Sequence, residues 1–209
     1  MAGSMGVSTG TGANVGGDLA FQLTGLRGAV VPYASGPGAT LKSVMCGGED
    51  IMLKGLILTG VEKIDGIVIT LTTDVAMIDG IVTTAAGDPA DAWIVVFPED
   101  ASKWVPGSPF VRTMRTRPSP ATMAAGRGAT PPGVQPTSAY ANRQGGFVMN
   151  GLLPGRYHVA ALPYNPDSNS PAGVAPATDR ESLEKLRASA RTVGAAVGQA
   201  SSVELRLAK

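Results

Sequence analysis

Residues 146–161 have the sequence GFVMNGLLPGRYHVAA, two short apolar segments separated by a turn. Gly151 can adopt a positive φ in this turn, and Pro154 removes a backbone donor from it. In the segment after the turn, Tyr157 and Val159 lie two residues apart, which places them on the same face of a strand. The stretch therefore predicts a β-hairpin with one apolar face.

Further short strands are predicted on both sides of this hairpin. Residues 92–97, AWIVVF, are apolar on both faces and end at Pro98, as expected of a central strand in a sandwich. Residues 202–208 and residues 66–72 alternate along the chain with the period of a strand. From residue 78 onward we expect one antiparallel β-sandwich with these side chains inside: Val95, Phe97, Phe147, Tyr157, Val159, Val203 and Leu205.

One segment has the pattern of a helix. Residues 178–181, TDRE, match a capping box, in which Thr178 is the N-cap and Glu181 reaches back to it. Leu183 and Leu186 follow at helical spacing. The pattern predicts one short helix over residues 179–191 in an otherwise all-β chain.

The hairpin sequence has a partial copy near the start of the chain. Residues 21–28, FQLTGLRG, share a strand and a Gly-Leu turn with residues 147–155, FVMNGLLPG. Nothing before Phe21 resembles residues 79–97, the strand pair that opens the later copy. We therefore expect no facing sheet for six apolar residues of the first copy: Phe21, Leu23, Leu26, Ile67, Ile69 and Leu71. Such a unit would dock on the second sandwich or on another chain, or belong to a domain that a longer protein completes.

Three pieces of the later copy occur in a characteristic order: GIVTT at 80–84, GDPADAWIVVFP at 87–98, and the hairpin at 146–161. In this order they resemble the carboxypeptidase regulatory-like domain, in its bacterial multi-domain form. The resemblance covers residues 78–207, and residues 21–72 as a partial copy. It implies a seven-stranded, prealbumin-like (transthyretin-like) antiparallel β-sandwich with a partial copy of the same fold before it. Such domains lack the catalytic residues of the peptidases they are named after, so the resemblance implies that the chain is not an enzyme.

Four segments are expected along the chain. Residues 1–18 are rich in Gly, Ser, Thr and Ala and predict a flexible leader. Residues 19–76 form the partial unit, and residues 77–209 form the complete sandwich. Within the sandwich, residues 113–144 are rich in Pro and Gly and predict a disordered insertion.

The composition excludes several classes of function. The chain has 17 Lys and Arg against 16 Asp and Glu, a net charge of +1, so it lacks the basic surface of a nucleic-acid-binding protein. One cysteine and one histidine permit neither an intrachain disulfide nor a zinc site built from these residues. No apolar stretch is long enough to predict a membrane span. We expect no catalytic site, no metal and no cofactor.

Isolated motifs have plain structural interpretations. Ser8 lies in a Gly-x-Ser-x-Gly sequence, but the strand and helix of a nucleophile elbow are not predicted around it. His158 has no predicted catalytic partners and Cys46 is a small apolar residue near a strand end. Residues 165–169, NPDSN, have the opening spacing of a calcium loop without its later glycine and glutamate, so a turn is expected.

Three aromatic residues are candidates for ligand contact. Trp104 lies in a loop after the central strand, and with Tyr164 and Tyr140 it would form an aromatic surface for a sugar ring. This interpretation requires Trp104 to be exposed beside Tyr164. In the alternative, Trp93 is in the core and Trp104 covers one end of it.

Three functions remain open at this point. The first is a non-catalytic module of a larger secreted or cell-envelope protein, used for protein interaction, adhesion or structural spacing. The second is a carbohydrate-binding module, and the third is a regulatory domain of a peptidase or other hydrolase. Partners would be other domains of the same protein, a cell-surface protein or a glycan, without nucleic acid. An extracellular, periplasmic or cell-envelope location follows from the resemblance alone, since residues 1–18 lack the pattern of a signal peptide.

Overall fold

The computed structural model describes residues 4–6, 12–15, 17–36, 38–105, 107–116, 140, 143–164 and 175–207. The chain divides into two compact units by its internal contacts. The first unit consists of Met1–Val75 and Gly107–Pro109, and the second of Ala76–Pro106 and Phe110–Lys209.

The described residues of the first unit form eight short strands in small sheets. They are β1 (Ser4–Gly6), β2 (Gly12–Asn14), β3 (Gly28–Val30), β4 (Tyr33–Ser35), β5 (Thr40–Cys46), β6 (Glu49–Asp50), β7 (Leu56–Leu58) and β8 (Val68–Thr72). The sheet orders are β2-β1-β4, β3-β7 and β6-β5-β8, and every pairing is antiparallel. The buried apolar side chains in the described part of this unit are Val30, Ala34, Leu41, Val44, Ile51 and Met52.

The leader contains ordered structure. A flexible segment is predicted for residues 1–18, but β1 and β2 pair with each other, and β1 also pairs with β4. Backbone N–H and C=O groups form these pairs whatever the side chain, so a segment rich in small residues can extend a sheet.

The described residues of the second unit form a β-sandwich of seven strands. They are β9 (Ala76–Thr83), β10 (Ala92–Pro98), β11 (Arg112–Arg115), β12 (Gly146–Leu152), β13 (Gly155–Pro163), β14 (Arg191–Ala195) and β15 (Ala200–Arg206). One sheet has the order β11-β10-β13-β14 and the other β12-β9-β15. The hairpin predicted for residues 146–161 is therefore wrong, because β12 and β13 lie in different sheets and each pairs with other strands. Ile78, Phe147 and Leu205 from the second sheet share one buried cluster with Ile94 and Val159 from the first. The prediction of an all-β, sandwich-like fold is confirmed.

One strand pair of the sandwich runs against expectation. β15 is parallel to β9, with Val203 opposite Gly80, whereas β12 is antiparallel to β9. The alternation in residues 202–208 predicts a strand and its faces, but strand direction depends on how the preceding chain returns to the sheet. Val203 is also half-buried rather than inside the core.

The central strand β10 takes part in two cores. Ile94 and Val96 face the interior of the sandwich, while Val95 and Phe97 belong to a separate cluster with Trp104, Ala160 and Leu183. Val95 and Phe97 are buried, as predicted, but outside the sandwich interior in which they are expected. Leu183 comes from the helix α1 (Arg180–Arg187), so β10 is apolar on both faces because a sheet covers one and a helix the other.

Helix α1 begins one residue later than the sequence predicts. Asp179 is the N-cap, and its Oδ1 accepts a hydrogen bond of 3.0 Å from the backbone N–H of Ser182. Glu181 binds Lys185 instead of the cap, with 2.7 Å between Oε1 and Nζ. The helix ends at Arg187 because the chain enters β14 at Arg191. Among the described residues, no helix has the length and apolar character needed to cross a bilayer.

The start of the predicted insertion is anchored to the sandwich. Residues 113–115 lie in β11, and Thr116 is 1% exposed. The Thr116 Oγ1 accepts a hydrogen bond of 2.8 Å from the backbone N–H of Ala92 and donates one of 3.2 Å to the Ala90 carbonyl. Residues 117–139, where most of the predicted disorder falls, lie outside the described residues.

Candidate functional site

An open apolar cleft of about 760 Å³ lies within the first unit. This volume is in the range of about 300–1,000 Å³ that ligand sites occupy. Residues 19–26, strand β7 and the start of β8 supply most of its walls. The apolar side chains among the lining residues include Leu19, Phe21, Leu23, Leu26, Tyr33, Leu56, Leu58, Ile64, Ile67 and Ile69.

Residues 21–24 have the side-chain alternation of a strand. Phe21 and Leu23 are half-buried, whereas Gln22 and Thr24 are exposed. This is the pattern of a segment with one face on an apolar surface. Within the described residues, however, no strand pairs with this segment.

The turn beside the cleft is held by a carboxylate. Glu62 accepts hydrogen bonds from the Thr59 hydroxyl at 2.6 Å and from the backbone N–H groups of Thr59 and Gly60 at 3.0 and 2.9 Å. These hydrogen bonds lower the pKa of Glu62 to about 2, and the bond from the Thr59 hydroxyl has the largest effect. The Glu62 carboxylate is therefore hydrogen-bonded within its own turn. Val61, at the tip of this turn, is 89% exposed.

Exposed apolar side chains are concentrated in the first unit. Eight large apolar residues of the described chain are exposed, and seven of them belong to this unit: Leu19, Tyr33, Ile57, Val61, Ile64, Val68 and Leu71. The sequence predicts that Phe21, Leu23, Leu26, Ile67, Ile69 and Leu71 lack a facing sheet, and none of these six is buried. Leu56 and Leu58 are missed by the sequence reasoning, although the apolar run between Gly55 and Gly60 is a usable signal.

The predicted aromatic surface does not form as expected. Trp104 is 2% exposed, its Nε1–H donates a hydrogen bond of 2.7 Å to the Pro98 carbonyl, and its ring packs edge-on against Phe97 at 5.2 Å. Tyr164 is half-buried beneath the Arg115 guanidinium, 3.4 Å from the ring centroid. Tyr140 is half-buried, and its carbonyl accepts from the Arg143 N–H at 3.1 Å. Trp104 is buried because it packs on the apolar side chain of Phe97, which faces away from the sandwich interior.

The alternative for the two tryptophans is wrong about Trp93, although Trp104 is a buried covering residue. Trp93 is half-buried rather than in the core, and Trp104 is the fully buried one. The sequence places Trp93 inside because it lies in the apolar strand β10. Its actual exposure follows from the register, in which Trp93 lies opposite Leu162 and Arg115 near the end of the sheet.

His158 is buried among aromatic rings. Its side chain is 6% exposed, with the Phe97 and Trp104 ring centroids at 5.2 and 6.4 Å. Nδ1 shares a hydrogen bond of 3.1 Å with the Thr192 hydroxyl, and Nε2 has no partner among the described residues. Burial, followed by the positive charge of Arg187, lowers the pKa of His158.

We predict that the free energy of unfolding falls as the pH drops below about 6.5, the ordinary pKa of histidine. The unfolded chain takes up a proton there that the folded chain excludes, because folding depresses the pKa of His158. His158 is the only histidine in the sequence, so urea unfolding between pH 7.5 and 5.5 isolates its contribution from those of the carboxylates. His158→Gln is expected to flatten this dependence. An equal slope in wild type and variant would contradict the prediction.

Among the remaining candidates, those that the structure describes form no site. Cys46 is half-buried at the end of β5. Within the described residues, no group of three or more His, Cys, Asp or Glu side chains is placed to hold a metal ion. Ser8 and residues 165–169 lie outside the described residues.

Comparisons with known proteins found a structural match but no family for this chain. No family model and no curated protein matches this chain. A solved structure that matches is the dioxygenase domain of a dioxygenase and carbohydrate-binding fusion protein from the cellulolytic bacterium Streptomyces sp. SirexAA-E. Identity is 16%, the match covers 63% of this chain and 77% of that chain, and the TM-score is 0.29.

This match bears on one expectation from the sequence. The prediction that the chain is not an enzyme is contradicted, because the matching structure is a dioxygenase domain. We therefore no longer hold that prediction. A likeness at a TM-score of 0.29 carries no argument about a reaction.

Proposed function

We propose that the chain is a protein-interaction module and that the apolar cleft of the first unit is its contact surface. The observation that carries the proposal is the concentration of exposed apolar side chains in and around this cleft. Contiguous exposed apolar surface is unfavourable in water and marks sites where proteins meet. Covering it with a partner removes that cost.

The charges beside the cleft favour an apolar partner over an ionic ligand. Glu62 is satisfied within its own turn. Lys63 and Asp65 form an ion pair of 3.2 Å between Nζ and Oδ2. Each of these three charges therefore has a local partner, and the apolar walls supply most of the surface that a ligand would cover.

The second unit supports a role in a larger protein. Residues 80–98 and 146–161 carry the sequence that resembles carboxypeptidase regulatory-like domains, and the Tyr157 hydroxyl donates to the Leu153 carbonyl at 2.8 Å across the turn between β12 and β13. On that resemblance we propose that the module belongs to a secreted or cell-envelope protein of several domains. Glycan binding is the weaker proposal, because the buried Trp104 removes the largest ring from the aromatic surface.

A photo-cross-linking experiment tests this function. A benzophenone amino acid replaces Leu19, which lines the cleft and is 77% exposed, or Val197, a 50% exposed residue of the second unit. We expect a defined polypeptide adduct from position 19 in cells of the source organism and none from position 197. The cross-linked polypeptide is then purified and titrated against the chain.

The titration uses matched variants. Ile67→Lys places a charge in the cleft wall, and Val197→Lys places the same charge on the second unit. Burying one such apolar side chain is worth about 1.5–3 kcal/mol, so Ile67→Lys should weaken binding roughly tenfold or more. The function is wrong if positions 19 and 197 give the same adducts, or if Ile67→Lys binds the purified partner as wild type does.

A further inference from the structure

The repeated Phe-x-x-x-Gly-Leu sequence has a glycine with the same positive φ in both units. Phe21, Leu23, Gly25 and Leu26 align with Phe147, Met149, Gly151 and Leu152. Gly25 and Gly151 both have a φ of 74°, a left-handed conformation that favours glycine. The two glycines therefore share a left-handed backbone conformation, although Gly151 lies in β12 and Gly25 lies in a bend outside any strand.

In the second unit this segment has a strand partner. Phe147 lies opposite Gly80 and Met149 opposite Ile78 in the antiparallel pair of β12 and β9. The register then shifts, so that Leu152 lies opposite Ala76, and Gly151 is within the bulge. Phe147, Met149 and Leu152 are 1%, 7% and 2% exposed and lie in a core cluster to which both sheets contribute.

Steric crowding explains why the residue opposite Phe147 is a glycine, Gly80. A Cβ on Gly80 would lie 1.9 Å from the Val203 carbonyl oxygen of β15 and 3.0 Å from two carbons of the Phe147 ring. The ring therefore packs over the bare backbone of β9. A strand that pairs with this segment is expected to carry glycine at that position and apolar residues two positions away on each side, as Ile78 and Val82 do here.

In the first unit the equivalent segment has no such partner among the described residues. Phe21, Leu23 and Leu26 line the apolar cleft, whereas Phe147, Met149 and Leu152 lie in the sandwich core. None of the three residues of the first unit is buried. Residues 21–26 therefore lack the strand partner that the equivalent segment of the second unit has.

We propose that residues 21–26 are an acceptor edge for a β-strand supplied by another polypeptide. The incoming strand runs antiparallel to this segment, with glycine opposite Phe21 and alternate apolar side chains in the cleft. Main-chain hydrogen bonds to residues 21–26 contribute affinity, and the alternate side chains contribute selectivity. This inference rests on the proposed function and specifies the chemistry of the partner.

The experiment adds a peptide with the sequence of residues 75–84, VAMIDGIVTT, to the whole chain. It contains β9, which fills the equivalent position in the second unit. Binding is measured by fluorescence anisotropy of the labelled peptide, and amide hydrogen exchange is followed by NMR. We expect saturable binding and slower exchange of the amides of residues 21–26.

Two peptide controls define the chemistry. A scrambled peptide of the same composition should not bind. Replacing the glycine, as Gly80→Val does in the peptide sequence, should weaken binding roughly tenfold or more, because the new side chain meets the Phe21 ring. Both controls use the unaltered chain, so they remain informative if a variant of the chain fails to fold.

Two variants of the chain locate the binding edge. Leu23→Lys charges a half-buried side chain of the cleft, and Thr24→Lys makes the same change at the exposed neighbouring position. We expect Leu23→Lys to weaken peptide binding roughly tenfold or more and Thr24→Lys to change it less than about threefold.

Several results would overturn the inference. These are the absence of saturable binding, equal binding of the scrambled peptide, equal affinity of Leu23→Lys and wild type, or amides of residues 21–26 that are already protected in the free chain. Failure of the peptide with persistent cross-links from position 19 would reject strand addition and keep the protein-interaction function. Loss of the cross-links would reject that function itself.

Discussion

Gly80→Ala is expected to lower the free energy of unfolding of the second unit by about 3 kcal/mol or more. A Cβ at this position would lie 1.9 Å from the Val203 carbonyl oxygen and 3.0 Å from the Phe147 ring. Gly80 is in the middle strand of its sheet, with Phe147 opposite on one side and Val203 on the other. Neither neighbour can retreat without breaking a strand pair, so urea unfolding should show the loss directly.

Gly194→Ala is the matched control. Gly194 lies in the edge strand β14 and has no positive φ, and a Cβ at this position would meet no atom within 4 Å. Its replacement should change the free energy of unfolding by no more than about 0.5 kcal/mol. Similar costs at both positions, or a Gly80→Ala variant as stable as wild type, would show that the close approach of the strands is not as described.

Trp104→Ala is expected to cost about 3–5 kcal/mol of unfolding free energy, the usual range for truncating a buried Trp. The substitution opens a cavity beside Phe97 and His158 and removes the Nε1–H donor from the Pro98 carbonyl. Chemical denaturation followed by circular dichroism measures the loss. The sequence also makes Trp104 a candidate for glycan contact. A large loss of stability in the alanine variant would support the packing role instead.

Trp104→Phe separates packing from hydrogen bonding. The smaller ring keeps most of the apolar contact with Phe97 but leaves the Pro98 carbonyl without its donor. The cost should be about 1–3 kcal/mol, the penalty for an unsatisfied buried polar group plus lost volume. An alanine variant that is nearly as stable as wild type would contradict the buried position of Trp104.

The candidate site is partly predictable because it derives from a repeat. The alignment of residues 21–28 with residues 147–155 identifies a strand without an opening pair, and five of the six residues it marks as uncovered line the cleft. The remaining walls, from Leu56 and Leu58 of β7, are not predicted. Their position depends on the pairing of β7 with β3, which brings together residues about 28 apart in the chain.

Local patterns in the sequence account for the all-β character, the two strands on either side of the Gly151 turn and the short helix. They suffice because alternation, turn chemistry and capping depend on residues close together in the chain. Contacts between distant residues determine the parallel direction of β15 on β9, the two separate cores on either side of β10 and the burial of Trp104 instead of Trp93. An apolar side chain is stabilised by burial, but the local sequence around it does not specify which element will bury it. Here α1 and Trp104 cover Val95 and Phe97, because the sheet β12-β9-β15 already occupies the other face.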